Sequence, residues 1–137
     1  MPLRLEIVTP EASIFADEVD TVVLPGIEGE MGILPQHAPL VTLLTAGELV
    51  ITKSGKVNVM AVGEGLVEIT GSSTRILTDA AVGEAAIDEG AVQAALERAQ
   101  ARLKEGANLT AEEIAATEAS ILHSLAQLKV KRRRKTL

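Results

Sequence analysis

The sequence predicts an all-β sandwich, or flattened antiparallel barrel, in residues 1–84, followed by an antiparallel α-helical hairpin in residues 85–137. Short segments rich in valine, isoleucine and threonine fill the first region, and turn-forming pairs containing glycine or proline separate them. No segment of helical period lies between these strands, which argues against a parallel sheet with crossover helices. After about residue 84 the apolar residues instead follow the 3.6-residue period of a helix.

Strand composition is found in six segments of the first region, namely residues 4–8, 19–24, 47–52, 56–62, 65–70 and 74–77. Turn signals stand between them at Thr9-Pro10, Pro25-Gly26, Glu28-Gly29, Leu34-Pro35, Ser54-Gly55 and Gly71-Ser72. Residues 53–56 predict a hairpin turn, because Gly55 supplies a positive φ at little steric cost.

The first helix is predicted to begin at Asp88, whose side chain can cap it, and to end at Gly106. Its apolar face consists of Val92, Ala95, Leu96, Ala99 and Leu103.

For the second helix, Thr110 and Glu113 have the spacing of a capping box. Its apolar seam repeats every seven residues at Ile114, Ile121 and Leu128, with Leu125 between them. Because the link at residues 106–109 is short, we expect two antiparallel helices of about four turns each.

Such a hairpin is predicted to be marginal alone. Each buried leucine or isoleucine contributes roughly 1.5–3 kcal/mol, whereas each ordered residue costs over about 1 kcal/mol of conformational entropy. We therefore infer that the helices need a partner surface, either the sandwich or another protein, and that they can exchange one for the other. Permanent docking is an equally good interpretation of the residues.

Composition excludes several function classes. The chain has no cysteine, and so no disulfide, thiolate nucleophile or cysteine-containing metal site. Phe15 is its only aromatic residue apart from two histidines, which leaves no platform for stacking bases. The N-terminus lacks the features of a secretory signal and no run of about 18 apolar residues occurs, so we expect a cytosolic type of protein.

Charge divides the chain in the same way as periodicity does. Residues 1–84 carry four basic and twelve acidic side chains, a net charge of −8, and residues 85–137 carry nine basic and seven acidic ones, a net of +2. Six of the nine bases lie in the last nine residues. This basic run has three interpretations: a solvated or frayed tail, a nucleic-acid contact, or a contact with an acidic protein surface. We favour the protein surface over nucleic acid, because the remaining chain is acidic and lacks stacking aromatics.

The two histidines, His37 and His123, are far apart in sequence and have no serine or second metal ligand near them, which disfavours a catalytic triad or a zinc site. His37 lies between Pro35 and Pro39, where a partner contact and a simple turn are equally good interpretations. For His123, on the second helix, we expect an exposed or interface position.

Residues 22–40, VVLPGIEGEMGILPQHAPL, strongly resemble the signature of the epsilon subunit of the F-type rotary ATP synthase, called delta in mitochondria. Two later segments resemble the same family in the same order, VGEGLVEI at residues 62–69 and RILTDAA at residues 75–81. The resemblance extends from about residue 3 to the C-terminus. Glu64 departs from it by replacing a glycine.

The resemblance implies a ten-stranded sandwich and two helices in a subunit that turns with the central gamma shaft. It implies that an apolar face of the sandwich binds gamma. It also implies that a loop containing Glu30, Met31, Gly32 and His37 contacts the polar loops of the membrane-embedded c-ring.

In this family the two helices can also extend along gamma into the alpha/beta headpiece, where basic residues meet an acidic segment of a beta subunit and block ATP hydrolysis. The resemblance assigns such contacts to Arg98, Arg102, Lys129, Arg132, Arg133, Arg134 and Lys135.

Some bacterial members bind ATP on the hairpin through the motif I/L-D-x-x-R-A. Ile87 and Asp88 match its start, but Ala91 replaces the arginine. His123 and Gln127 stand where those members use arginines on the second helix. This degenerate motif predicts weak or absent ATP binding, since guanidinium groups are needed to neutralise a triphosphate.

Together these expectations describe a non-catalytic rotor subunit that couples gamma to the c-ring in proton-driven ATP synthesis and restrains hydrolysis through its helices. We expect no cofactor, no nucleic acid, no insertion into lipid, and one copy within a hetero-oligomeric complex. The expected location is the cytoplasmic face of the bacterial plasma membrane rather than a thylakoid. The alternative is a free-standing β-sandwich adaptor whose basic tail binds acidic protein or RNA.

Overall fold

The computed structural model describes residues 3–35, 38–105 and 108–136, with side chains described as far as Arg132. In the described residues ten strands precede two helices. The strands are β1 (Leu3–Val8), β2 (Ser13–Val19), β3 (Thr21–Gly26), β4 (Gly29–Ile33), β5 (Leu40–Leu44), β6 (Gly47–Lys53), β7 (Lys56–Val62), β8 (Gly65–Thr70), β9 (Ser73–Thr78) and β10 (Ala81–Gly83). A 3₁₀ turn (Glu84–Ala86), helix α1 (Glu89–Glu105) and helix α2 (Ala111–Thr136) follow.

All ten strands form one sheet in the order β10-β7-β6-β3-β5-β8-β9-β1-β2, with β4 paired to β3 beside this path. The pairs are antiparallel except for β1 and β9, which run parallel. The sheet curls until β2 approaches β6, so it forms a nearly closed barrel. The all-β sandwich and the ten strands implied by the resemblance are therefore confirmed.

The barrel interior is filled by alternate residues of its strands. Leu3, Leu5 and Ile7 of β1 are fully buried, as expected for the inward face of a strand. They pack in one cluster with branched side chains from the other strands, among them Leu24, Leu49, Ile69 and Ile76. This aliphatic core holds the sheet closed, and it places other residues at the surface.

The segments predicted from composition miss β2, β4, β5 and β10, and residues 19–24 are divided between β2 and β3 at Asp20. The missed strands are more exposed or contain glycine, so they lack the composition of a buried strand. The turn predicted at Pro25-Gly26 is wrong, because both residues end β3 and the chain turns at Ile27 and Glu28.

The predicted hairpin turn between β6 and β7 is confirmed. Ser54 and Gly55 have φ values of 51° and 79°, the two positive angles that a type I′ turn requires. The Ser54 N–H donates a hydrogen bond of 2.8 Å to Oδ2 of Asp20.

Both predicted helix starts are confirmed. The Ala91 N–H donates to Oδ1 of Asp88 over 3.1 Å, and the Glu113 N–H donates to Oγ1 of Thr110 over 3.1 Å. The predicted stop at Gly106 lies outside the described residues.

Helix α2 has 26 residues, about seven turns instead of four, because the basic run continues the helix to Thr136. The run is thus helical in its described backbone, and its interpretation as a solvated or frayed tail stays untested.

The hairpin packs on the outer face of the barrel. Ala126 and Val130 of α2 form a buried cluster with Ala61 of β7 and with Ile87, and Val59, Val82 and Val92 border it. The sandwich is thus the partner surface in this structure. Leu125, predicted in the apolar seam, is instead 46% exposed, because α2 turns a different face to the barrel.

Replacing Gly65 by alanine is expected to destabilise the barrel by about 3 kcal/mol or to prevent folding. A Cβ atom at this position would overlap the backbone carbonyl oxygen of Leu77 on the paired strand β9. The urea midpoint of unfolding measures the effect. The matched control is Gly83→Ala, where nothing lies within 4 Å of the added atom; equal losses in the two variants would contradict the prediction.

Candidate interaction surfaces

The predicted c-ring loop is mainly the β3–β4 hairpin. Glu30 pairs with Pro25 and Met31 with Leu24 in its register. The side chain of Glu30 is exposed and Gly32 lies at the surface, whereas Met31 is half-buried and packs against the barrel core. Glu30 and Gly32 are therefore available to a partner, and Met31 anchors the hairpin. His37 lies outside the described residues.

An apolar patch is formed by the turn of this hairpin and by β5. Ile27, Val41 and Leu43 are 60%, 64% and 51% exposed. The Ile27 N–H donates to the Leu43 carbonyl over 3.1 Å, and Val41 and Leu43 lie on one face of β5 because they are two residues apart. We call these three residues the apolar patch. Apolar residues on both faces of β5 were a signal in the sequence that composition alone did not single out.

The predicted basic contacts form two separate groups. Arg98 and Arg102 border a groove of about 390 Å³ between the helices, which Ala99, Glu113, Ala116, Thr117 and Ser120 also line. Nη2 of Arg102 donates to Oε2 of Glu113 over 2.9 Å. This group lies at the end of the hairpin where the helices are connected.

The second basic group lies at the other end of the hairpin, about 24 Å (Lys129) to 28 Å (Arg132) along α2 from Glu113 at 1.5 Å per residue. Two of its members pair with acidic residues of the sandwich side and of α1: Lys129 Nζ with Glu48 Oε1 at 3.6 Å, and Arg132 Nε with Glu89 Oε1 at 3.0 Å. Between them Lys131, which was not among the predicted contacts, pairs through Nζ with Glu84 Oε1 at 3.3 Å. The side chains of Arg133, Arg134 and Lys135 lie outside the described part. We call Lys129, Lys131 and Arg132 the basic latch.

The ion pairs of the basic latch differ in exposure. The side chain of Glu48 is 9% exposed and that of Glu84 is 17% exposed, whereas Lys129 is 72% exposed. Exposed pairs contribute little, typically under about 1 kcal/mol. The latch therefore adds to the apolar docking of the hairpin but does not replace it.

The two residues at the start of the degenerate ATP motif have structural roles. Ile87 is buried in the cluster beneath the hairpin, and the carboxylate of Asp88 caps α1. No basic side chain follows at Ala91 or Val92.

For His123 the sequence left an exposed and an interface position open, and the structure places it at the interface between α2 and the barrel. It shares a face of α2 with Ala126 and Val130, because residues three and four apart in a helix lie together. Its imidazole is half-buried, and desolvation lowers its pKa below the ordinary value, although the Val62 backbone and the Asp79 carboxylate act in the opposite direction. The spacing of residues 123, 126 and 130 was a usable signal of a second buried face.

No group of three or more metal-ligating side chains occurs within residues 3–35, 38–105 and 108–136 that could hold an ion. Neither described helix combines the length and apolarity needed to cross a bilayer.

Comparison with known proteins agrees with the fold. Residues 2–84 match the family described as ATP synthase, Delta/Epsilon chain, beta-sandwich domain. The chain is 47% identical over 100 residues to the ATP synthase epsilon chain of Desulforamulus reducens, covering 73% of this chain and 76% of that relative. It is 41% identical over 136 residues to the ATP synthase epsilon chain of Dehalococcoides mccartyi, covering 97% and 94%.

Two solved structures share the fold. A chain of the Euglena gracilis mitochondrial ATP synthase has a TM-score of 0.75 and 21% identity, over 99% of this chain and 82% of that one. A chain of the Tetrahymena thermophila mitochondrial ATP synthase central stalk and c-ring has a TM-score of 0.62 and 13% identity, over 96% and 97%. The sandwich match and the full-length bacterial relative agree with the motifs at residues 22–40, and the chain belongs to the ATP synthase delta/epsilon family.

Proposed function

We propose that this chain joins the gamma subunit to the c-ring as a non-catalytic part of the central stalk of an F-type ATP synthase, and that its helices restrain ATP hydrolysis. The observation that carries the proposal is the family match across the sandwich together with a relative that is 41% identical over 97% of the chain. Membership of this family favours the stalk subunit over a free-standing adaptor that binds acidic protein or RNA.

We assign the gamma contact to the apolar patch. Three large aliphatic side chains exposed side by side lose contact with water when a partner covers them, and this burial drives association. The neighbouring hairpin with Glu30 and Gly32, together with His37, is assigned to the polar loops of the c-ring. Both contacts then lie on one part of the sandwich, so the chain bridges the two partners.

The helices are assigned the regulatory role. In the docked hairpin the basic latch is paired with Glu48, Glu84 and Glu89. Undocking would free these cations for an acidic segment of the alpha/beta headpiece, and Arg98 and Arg102 would bind in the same way. One set of charges would thus serve two alternative surfaces, which is the arrangement that a two-state switch requires.

We further propose that residues 1–84 act as the coupling unit and residues 85–137 as the regulatory unit. The complex is proposed to lie at a bacterial plasma membrane, with this chain held at the cytoplasmic face by its partner subunits, one copy to each complex; the similarity to bacterial ATP synthase epsilon chains supports this proposal.

Val41→Asp is expected to weaken binding of the purified gamma subunit by at least about tenfold, since an unpaired carboxylate would be buried in an apolar contact. Titration calorimetry measures the affinity. Val57→Asp is the matched control, because Val57 is 62% exposed on β7 against 64% for Val41. Equal affinities for the two variants would contradict the assignment, and no affinity of the native chain for gamma would overturn the proposed function.

Deleting residues 129–137 is expected to raise ATP hydrolysis by the assembled complex several-fold, because the inhibitory cations are removed. The triple variant Lys129→Gln, Lys131→Gln, Arg132→Gln tests charge without shortening α2. Lys53→Gln is the control, since Lys53 pairs with Asp17 on the sandwich. Unchanged hydrolysis in both the truncated and the triple variant would rule out the inhibitory role.

ATP is expected to bind the isolated chain weakly or not at all, because Ala91, His123 and Gln127 supply no guanidinium at the positions used by ATP-binding members. Calorimetric titration with ATP measures this. A dissociation constant in the micromolar range would contradict the prediction.

A further inference from the structure

We propose that protonation of the His123 imidazole weakens the docking of the helical hairpin, so that α2 moves away from the sandwich. This inference concerns the docking equilibrium of the chain itself and goes beyond the proposed function, which it does not require.

The side chain of His123 lies on the same face of α2 as the residues that pack on the barrel. His123 lies one turn before Ala126 and two turns before Val130, the residues through which α2 packs on Ala61 of β7. Its imidazole therefore sits at the contact between helix and barrel. A group at this contact changes its surroundings when the hairpin undocks, whereas an outward-facing group does not.

Hydrogen bonding at the imidazole favours its neutral form. Nδ1 of His123 is buried and has no hydrogen-bond partner among the described residues. A neutral imidazole tolerates this because Nδ1 can be the unprotonated nitrogen. In the imidazolium both nitrogens carry protons, and a buried Nδ1–H that makes no hydrogen bond of good geometry is costly, even with the Val62 backbone nearby.

The charges around the imidazole do not offset this cost. Asp79, in the turn between β9 and β10, raises the pKa of His123, and so does the Val62 backbone, but desolvation is the larger effect and lowers it. On α2 itself the positions three and four residues away are uncharged: Ala119, Ser120, Ala126 and Gln127.

Other charged groups on the packed elements have partners of their own. On β6, Glu48 pairs with Lys129 and Lys53 with Asp17; on the 3₁₀ turn, Glu84 pairs with Lys131; on α1, Glu89 pairs with Arg132 and Arg102 with Glu113. Lys56 lies at the opposite end of β7 from Val62, and the other charged residues of α1 (Glu97, Arg98, Lys104 and Glu105) lie on exposed positions of that helix.

The direction of the pH effect follows from linkage. Because the docked pKa lies below the ordinary histidine value near 6.5, docking is strongest above about pH 6.5 and weakens as pH falls through the docked pKa. One proton changes the docking constant by at most about tenfold per pH unit. Acidification is thus predicted to open the hairpin and also to expose the basic latch.

The test is a single-molecule energy-transfer measurement on the full chain between pH 7.5 and 5.5. The absence of native cysteine allows a label pair at Lys56→Cys and Ala115→Cys, both exposed positions. We expect the ratio of undocked to docked molecules to rise by up to about tenfold at pH 5.5, as one proton per molecule allows. His123→Gln should abolish this pH dependence, and His37→Gln should retain it.

A third variant separates titration from simple loosening. Val130→Ala removes apolar contact without changing a titratable group, so it should raise the undocked fraction at every pH. The slope of the logarithm of the undocked-to-docked ratio against pH should remain that of the native chain. An equal slope in His123→Gln and the native chain would overturn the proposal. Val130→Ala retains His123 and populates both states. A ratio of undocked to docked molecules that stays constant across this pH range in this variant would overturn the proposal as well.

Discussion

The contact between α2 and the outer face of β7 is the interaction that fixes the helical hairpin on the barrel, and the position of the second half of the chain depends on it. It consists of small and medium side chains, with Ala61, Ala126 and Val130 at its centre and Ile87 at its edge. A buried valine or isoleucine contributes roughly 1.5–3 kcal/mol, and an alanine less. The contact is therefore strong enough to order the hairpin on the barrel but weak compared with the barrel's own core.

Electrostatics reinforce this contact in a way that matches the charge division of the sequence. The sandwich region carries a net charge of −8 and the helical region +2. Lys129 and Lys131 bring that positive charge to Glu48 and Glu84. These pairs orient α2 and hold its last turns, although the carboxylates are more buried than the ammonium groups. Apolar packing and charge thus act on the same helix from the same side.

Local chemistry could be predicted from the sequence where one residue determines one geometry. Asp88 and Thr110 cap their helices, and Ser54 and Gly55 form a type I′ turn, because these effects need only neighbours in the chain. The second buried face of α2 does not follow from neighbouring residues in this way, because only the spacing of residues along the helix indicates it. The heptad at Ile114, Ile121 and Leu128 indicates one seam, whereas Ala126 and Val130 are buried by a sheet that is distant in sequence. The placement of Leu125 was wrong for that reason.

The candidate sites show the same limit. Glu30 and Met31 are adjacent in a family-like segment, yet the pleat of β4 exposes one and half-buries the other, which only the register with β3 determines. Pro25 was predicted to turn because proline often does. It continues β3 instead, and its carbonyl accepts a hydrogen bond from the Thr45 N–H over 2.8 Å.

The parallel pairing of β1 with β9 joins the first described residues to residues 73–77. Contacts between residues this far apart in sequence form slowly, because the long intervening chain must first be brought together. On a ribosome the barrel cannot seal until β9 has left the exit tunnel, and α2 is synthesised after that. Every strand of the barrel therefore precedes α2 in the chain, and the surface on which α2 packs is synthesised before α2 itself.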